Sequence, residues 1–457
     1  MSVTTGTFPG VRIVDMPDLG AVTDTSSMVG ERAGSGRFAA TALRDYVVAA
    51  SAYPLPVTLF GARGDGVTDD APAIQAAINA AVARGVFAIY LPSAPVYYLL
   101  GSALNLTNLA RFTIFGDGCY ALSARITPRG STLAGNTGGG GCIIDATGTS
   151  GLVLRNLNLA SIGLSNPSTV GLILGNSSTN TNGGSSNHLD NISILLPSTG
   201  SSVPLYGVNV NLLTMVKVNT FGDYGFYITN ANDLGITRPY GVAGTPINSD
   251  GAASLGCFLA GYGTQAPFVL VNCSAHNHDQ LYIVNVNASP SFAGHVQAML
   301  LNNCTDVSVK VEIDYFPSAV VQLGAWLNVK LSGLIYAQPS PLAIGVPAVM
   351  ALEGTSLTDV NMDIRVLSAA PAGTYYYGSA ALSSTEISMV GCTFIFDSTV
   401  VQNALYLNVT SAVATPIFNC RLNGDSDAAG VALFVNGSAM PASAYRLWVN
   451  GLRIGTA

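Results

Sequence analysis

Short apolar stretches closed by turn residues run along most of the chain, and in many of them hydrophobic and polar positions alternate. The clearest is 306–314, where Val307, Val309, Val311 and Ile313 alternate with Ser308, Lys310, Glu312 and Asp314. A period of two marks a half-buried strand, because successive side chains leave opposite faces. The aliphatic set is therefore expected inside, with Lys310, Glu312 and Asp314 on one outer face at about 7 Å intervals. The same reasoning turns Asn328, Lys330 and Ser332 outward in the next segment, and Asn361, Asp363 and Arg365 further on. On adjacent coils these residues would form a charged strip. Comparable β-rich segments are 109–116, 151–159, 188–196, 207–218, 326–335, 359–366, 387–397 and 417–422.

One stretch, 57–92, keeps a different period. Val57, Leu59 and Phe60 suggest a short strand, and the turn 61–66 (GARGDG) follows. Thr68, Asp69 and Asp70 supply acceptors for the free N–H groups of a helix start, and Pro72 suits its first turn. Ile74, Ala77, Ile78, Ala81 and Val82 then recur on one helical face. Gly85 ends the helix, and 86–91 returns to a strand. Capping and turn chemistry account for Asp65, Asp69 and Asp70 better than a catalytic cluster does.

The turns repeat. Asn272-Cys273-Ser274 and Asn303-Cys304-Thr305 match, with Gly391-Cys392-Thr393 a looser echo. A strand-and-turn unit recurring at roughly 20–30 residues is the mark of a parallel β-helix, in which each coil repeats one unit. Matching Asn and Cys residues are expected to stack in ladders, and 128–142, 177–186 and 238–267 are expected as loop insertions. The last segment, 398–457, is either further coils or a C-terminal trimerisation module.

Composition narrows the function. Of 457 residues only 9% are charged, against roughly 25% in an average soluble protein. No apolar run approaches the ~18 residues of a membrane span, so no membrane insertion is expected. A net charge of −7 without a basic cluster argues against nucleic acid. The seven cysteines form no CxxC pair and read as buried thiols. His276 and His278 lack a confident third ligand, so no metal and no cofactor is expected. The N-terminus shows no basic and apolar leader, which fits assembly inside a cell and release by lysis.

The stretch FGARGDGVTDDAPAIQAAINAA (60–81), followed by a strand and Leu91-Pro92, resembles the opening motif of the pectate-lyase-like superfamily. The resemblance implies an all-β, right-handed parallel β-helix (solenoid) with a short N-terminal capping helix. It implies no chemistry. The Asn-Thr-Asp, Asp-Asp, Gly-His-Gly and Arg-Ile-Lys set of polygalacturonases is absent, and no acidic cluster suits a calcium-bridged lyase.

Residues 1–50 carry a second resemblance. Val29-Gly30-Glu31-Arg32-Ala33-Gly34 and the closing Thr41-Ala42-Leu43-Arg44-Asp45-Tyr46 are similar to the particle-attachment segments of bacteriophage tail fibres and tailspikes. Residues 29–38 are expected as a hairpin around 33–36, and Thr41 as the cap of a short helix. The alternative is an arm that closes the end of the β-helix. The order then reads as 1–50 virion-attachment arm, 51–110 entry region with capping helix, 111–397 β-helix, and 398–457.

These resemblances imply a homotrimeric tailspike or tail fibre of the virion tail. Its partners would be phage tail or baseplate proteins, through 1–50, and a host surface polysaccharide. The alternatives are a free-standing polysaccharide-degrading enzyme and a non-catalytic β-helix adhesin. Catalysis would need two carboxylates flanking a glycosidic bond. Glu312 and Asp314 are the best pair, with Asp279 one coil earlier; a solvated salt-bridge ladder is the competing reading. Lys310 and the aromatic residues Tyr224, Tyr227 and Tyr376 are candidates for substrate binding, since flat rings stack on sugar faces. Tyr262 and the remainder of the trio 375–377 extend that set.

Overall fold

The computed structural model describes strands 27–30 and 36–39, residues 54–118, 130–175 and 186–229, and, between 249 and 453, mainly the strands with adjoining turns. From Leu55 onward the strands wind as one right-handed parallel β-helix, as the repeating turns predict. One column runs through Val170–Gly175, Val203–Val208, Phe226–Thr229, Phe268–Ser274, Gln297–Thr305 and Ser318–Leu327. Each of these pairs in parallel with the next. A second column runs through Val153–Ala160, His188–Leu195, Thr214–Gly222, Asn277–Asn285, Ser308–Phe316, Lys330–Ala337 and Ser356–Ser368. Its pairings are again parallel. Between Thr214–Gly222 and Asn277–Asn285 the pieces Ala253–Leu255 and Phe258–Gly261 complete the coil.

The corners are made by residues in the left-handed region. Asn156, Asn191, Lys217 and Gln280 bend four strands of the second column, Ala275, Asp306 and Asn328 precede three of its strands, and Asp359 lies within Ser356–Ser368. Asn tolerates this conformation better than most side chains, because its short amide finds local partners. Those partners form the expected ladders: Asn303 Nδ2 donates to Asn272 Oδ1 at 2.9 Å, and Asn191 Nδ2 to Asn156 Oδ1 at 2.8 Å. Cys273 and Cys304 lie in register on successive coils, are 2% and 0% exposed, and are free thiols. Burial pushes the Cys304 thiol up to about 12, so it is inert at neutral pH.

A single apolar core fills the tube from Leu55 to Ile364. The helix Ala71–Ala83 shields its N-terminal end, burying Ala71, Ile74, Ala77, Ile78 and Ala81. Gly85, at φ 67°, follows the helix in the left-handed region, as expected of a C′ residue.

Several local expectations are corrected. Val57–Phe60 is a 3-10 helix rather than a strand, because Gly61 at φ 96° turns back and its N–H bonds to the Thr58 carbonyl. The coil stack begins with Leu55–Pro56, which pairs with Ile89 and Tyr90. Segments 207–218 and 326–335 each cross a corner, at Asn209 to Leu212 and at Asn328, and so belong to two strands apiece. Two expected insertions contain strands: Thr132–Gly135, and the pair Ala253–Leu255 and Phe258–Gly261. Segment 177–186 and the helix expected after Thr41 fall almost wholly outside the described residues.

The acidic residues of the opening stretch are spent on the backbone. Asp65 accepts from Val67 N, Thr68 N and Thr68 Oγ1, and these bonds hold its carboxyl down at about 2. Asp69 accepts from Ala71 N and Gly101 N. Asp70 sits at the N-cap position but does not cap the helix; its oxygens take Arg63 N at 2.7 Å and Gly64 N at 3.0 Å. It is fully buried. Asp70→Ala strands both donors and is expected to lower stability by about 1–3 kcal/mol, read as a shift in the denaturation midpoint.

Residues 1–50 contain the expected hairpin. Ser27–Gly30 pairs antiparallel with Gly36–Ala39, in a sheet separate from that of the coils. In 398–457, Leu405–Val409 and Ile417–Gly424 continue the parallel pairing, which ends in short antiparallel returns at Ser438–Ala439 and Leu452–Arg453.

Candidate active site

The strand Ser308–Phe316 places its side chains as its alternation predicts. Val307, Val309, Val311 and Ile313 are buried in the core, while Lys310 and Glu312 are exposed and Asp314 is half-buried on the outer side. Register decides what stands beside them. On the preceding coil Tyr282 pairs with Glu312, and Val284 with Asp314. The Tyr282 hydroxyl donates to Asp314 Oδ2. Asp314 Oδ1 is shielded from solvent and has no hydrogen-bond partner among the described residues. Asp314 is thus the anchored carboxylate and Glu312 the exposed one.

One coil further back, Phe258 pairs with Tyr282. Their ring centroids are 5.2 Å apart with planes at 31°. Phe258 also packs on the outer apolar cluster of Ala160, Leu195 and Phe221. Asp279 lies near Lys310, with Oδ1 to Nζ at 3.9 Å, but the side chains are 47% and 66% exposed. Such a pair is screened and contributes little to stability.

The expected charged strip is interrupted. Ser332 pairs with Lys310 and Leu334 with Glu312, so uncharged residues separate Asp363 and Arg365 from them, and Lys330 of the same coil stands beside Ser308 and Asn361 instead. Glu312, Asp314, Asp279 and Lys310 are therefore brought together on two successive coils, and the charges further along are not.

The other candidate residues lie in the other column. Tyr227 is 7% exposed, and its ring meets Tyr206 at 5.8 Å and Tyr224 edge-on at 5.3 Å. Tyr224 is half-buried, and burial, then the neighbouring Asp223 charge, raises its hydroxyl. Asp223 itself is locked by Ser198 Oγ, Thr199 N and both groups of Ser202. Tyr376 begins the strand Tyr376–Gly378 of the same column; its side chain, like Tyr262 and Tyr375, lies outside the described residues.

His276 and His278 point into the core, 1% and 0% exposed, with Nδ1 and Nε2 at 3.4 Å. Phe268 meets His278 edge-on at 4.9 Å. Among the described residues no three His, Cys, Asp or Glu side chains group to hold a metal ion. Burial, then the neighbouring His276, lowers the His278 pKa well below 6.5. The unfolded chain therefore takes up this proton first, and stability is lost as pH falls below about 6.5. Denaturation midpoints at successive pH values are expected to show a loss of up to about 1.4 kcal/mol per unit from this group, absent in His278→Gln.

Phe258 and Tyr282 were not selected by sequence reasoning. The signal for Tyr282 was present: Leu281 and Ile283 alternate with it as Val311 and Ile313 do with Glu312.

Comparison with known proteins supports this architecture. Residues 56–232 match the family model described as rhamnogalacturonase A/epimerase, pectate lyase-like. No curated protein matches the chain. Among solved structures, DFA-IIIase from Arthrobacter chlorophenolicus is 10% identical with a TM-score of 0.51, over 84% of this chain and 95% of that one. The tailspike protein 2 enzymatically active domain of bacteriophage CBA120 is 13% identical with a TM-score of 0.44, over 85% and 52%. The A-module of an Azotobacter vinelandii mannuronan C-5 epimerase is 14% identical with a TM-score of 0.35, over 84% and 98%. The protein has a parallel β-helix fold, as the opening motif implies, and over residues 56–232 it is similar to the pectate-lyase-like family.

Proposed function

We propose that this protein is a bacteriophage tailspike or tail fibre, a homotrimer that binds a host surface polysaccharide and cleaves it on the outer face around Glu312 and Asp314. The observation that carries the reading is the placement of two carboxylates on one outer face, one anchored by Tyr282 and the other exposed. In this reading Glu312 protonates the leaving glycosidic oxygen, and Asp314 activates water or attacks the sugar. Asp279 and Lys310 flank the same face and contact the polymer. Residues 1–50 attach the trimer to the phage tail or baseplate; the separate hairpin Ser27–Gly30 and Gly36–Ala39 supports a distinct arm.

The match of 56–232 to a rhamnogalacturonase A/epimerase model favours a second reading, a free-standing polysaccharide enzyme. Molar mass in solution separates the two. Light scattering is expected to give three times the chain mass of 46.9 kDa; a stable monomer counts against the tailspike. Incubation with purified bacterial capsule and lipopolysaccharide is expected to yield shortened chains. Binding without shortening would leave an adhesin and remove the catalytic assignment.

A further inference from the structure

Resting on that reading, we infer that Phe258 and Tyr282 form a stacking subsite for a neutral pyranose ring, directly beside the carboxylates. Register places the two rings in one column with Glu312, on successive coils. Successive coils are about 4.8 Å apart, so the two rings and Glu312 form a line of roughly 10 Å, about two sugar units. The rings lie 5.2 Å apart and 31° from parallel, each half-buried, with part of each side chain left to solvent. Phe258 rests on Ala160, Leu195 and Phe221, which hold it from below. The Tyr282 hydroxyl is tied to Asp314, which fixes the position of the ring's outer end. The platform is therefore rigid before the sugar arrives, and little side-chain freedom is lost on binding.

Charge selects the sugar. Glu312 and Asp314 stand beside the Tyr282 end of the platform, and Asp279, on the other side of the corner at Gln280, lies near Lys310. The next residue of the column before Phe258 is Asn219, which is uncharged. A uronate or sialic acid stacked here would meet the Glu312 and Asp314 carboxylates, with the Lys310 ammonium drawn toward Asp279, whereas a neutral hexose or deoxyhexose presents an apolar C–H face to the rings. The platform thus takes a neutral residue of the repeating unit. Tyr282 adds a second role as a positioning residue, since its hydroxyl sets the direction of Asp314 Oδ1.

The test uses full-length protein and a panel of purified capsules and O-antigens, some neutral and some uronate-containing. Phe258→Ala and Tyr282→Ala are expected to weaken binding and raise KM about tenfold, as loss of about 1.4 kcal/mol of ring contact would do. Tyr282→Phe keeps the ring; binding is expected to stay within twofold while kcat falls and its pH profile moves. Phe258→Trp keeps a platform whether or not the alanine variants fold, and its fluorescence is expected to change when a bound polysaccharide is added. Wild-type cleavage with unchanged KM in both alanine variants overturns the subsite and leaves the proposed function standing. No binding by the wild type to any member overturns both. Preference for uronate over the neutral ring at equal chain length overturns the choice of sugar.

Discussion

Glu312→Gln is expected to lower polysaccharide cleavage by about 10²–10⁴-fold while leaving binding nearly unchanged, the range set by loss of one general acid or base. The amide has the shape of the carboxyl group but carries no transferable acid proton. Because Glu312 is exposed and stands on the outer face of its strand, stability is expected to stay within about 0.5 kcal/mol. Asp314→Asn should cut the rate on the same scale, and it also alters the bond from Tyr282. Reducing-end release, with binding measured on the same samples, checks both. Full cleavage by both variants would remove the carboxylate pair from the mechanism, even if the protein proves to be a polysaccharide-cleaving trimer.

Gly333→Ala is expected to cost about 3 kcal/mol or more, a large effect for one added methyl group. Gly333 sits between Ser332 and Leu334 at φ 141°, a region that residues with a Cβ rarely occupy. It pairs with Val311 on the preceding coil, and an added Cβ would lie 1.8 Å from the Val311 carbonyl oxygen. That oxygen is backbone and cannot rotate away, so the two coils must separate. A control sharpens the result: at Gly61, with φ 96°, an added Cβ would meet nothing within 4 Å, so Gly61→Ala should cost only about 1–2 kcal/mol of backbone strain. In a solenoid each coil is held mainly by its neighbours, and the damage at Gly333 should centre on the strand carrying Lys310, Glu312 and Asp314. Thermal melts and limited proteolysis check the loss, and polysaccharide binding should fall with it. Equal shifts for the two glycine variants would show that close backbone approach is not what holds these coils together.

Much of the fold was legible in the chain. Alternation in 306–314 placed Val309 and Val311 inside and Glu312 outside, because one face of a strand must leave water. The stripe of Ile74, Ala77, Ile78 and Ala81 marked the capping helix, and the repeated Asn-Cys turns marked stacked corners. Where reading failed, the cause was a corner. Segment 326–335 looks continuous in hydrophobicity, yet Asn328 turns left-handed within it and starts a new face. Segment 57–60 looks like a strand by its apolar residues, but the turn at Gly61 closes it into a 3-10 helix. Asp70 looks like a helix cap by position, and its oxygens instead tie down the preceding turn.

The candidate site was legible only in part. Periodicity names which residues of one strand face outward, and it named Lys310, Glu312 and Asp314. It does not state which residues of other coils stand beside them. The insertions vary the length of each coil, so spacing along the chain does not convert into register. Folding brought Tyr282 beside Glu312 and Phe258 beside Tyr282, and it kept Tyr224 and Tyr227 in another column, packed among Tyr206 and its neighbours.

The sequence alone thus determined the local periods, the inward and outward faces, the capping helix and the repeat, since these rest on interactions within a coil or on one residue's conformational range. The tertiary structure decided the register between coils, and with it the interruption of the charged strip by Ser332 and Leu334, the anchoring of Asp314 and the aromatic pair beside Glu312. The physical reason is that backbone hydrogen bonds between coils are indifferent to side-chain identity. Register follows from the whole stack of buried side chains and from the corners, which no single segment contains.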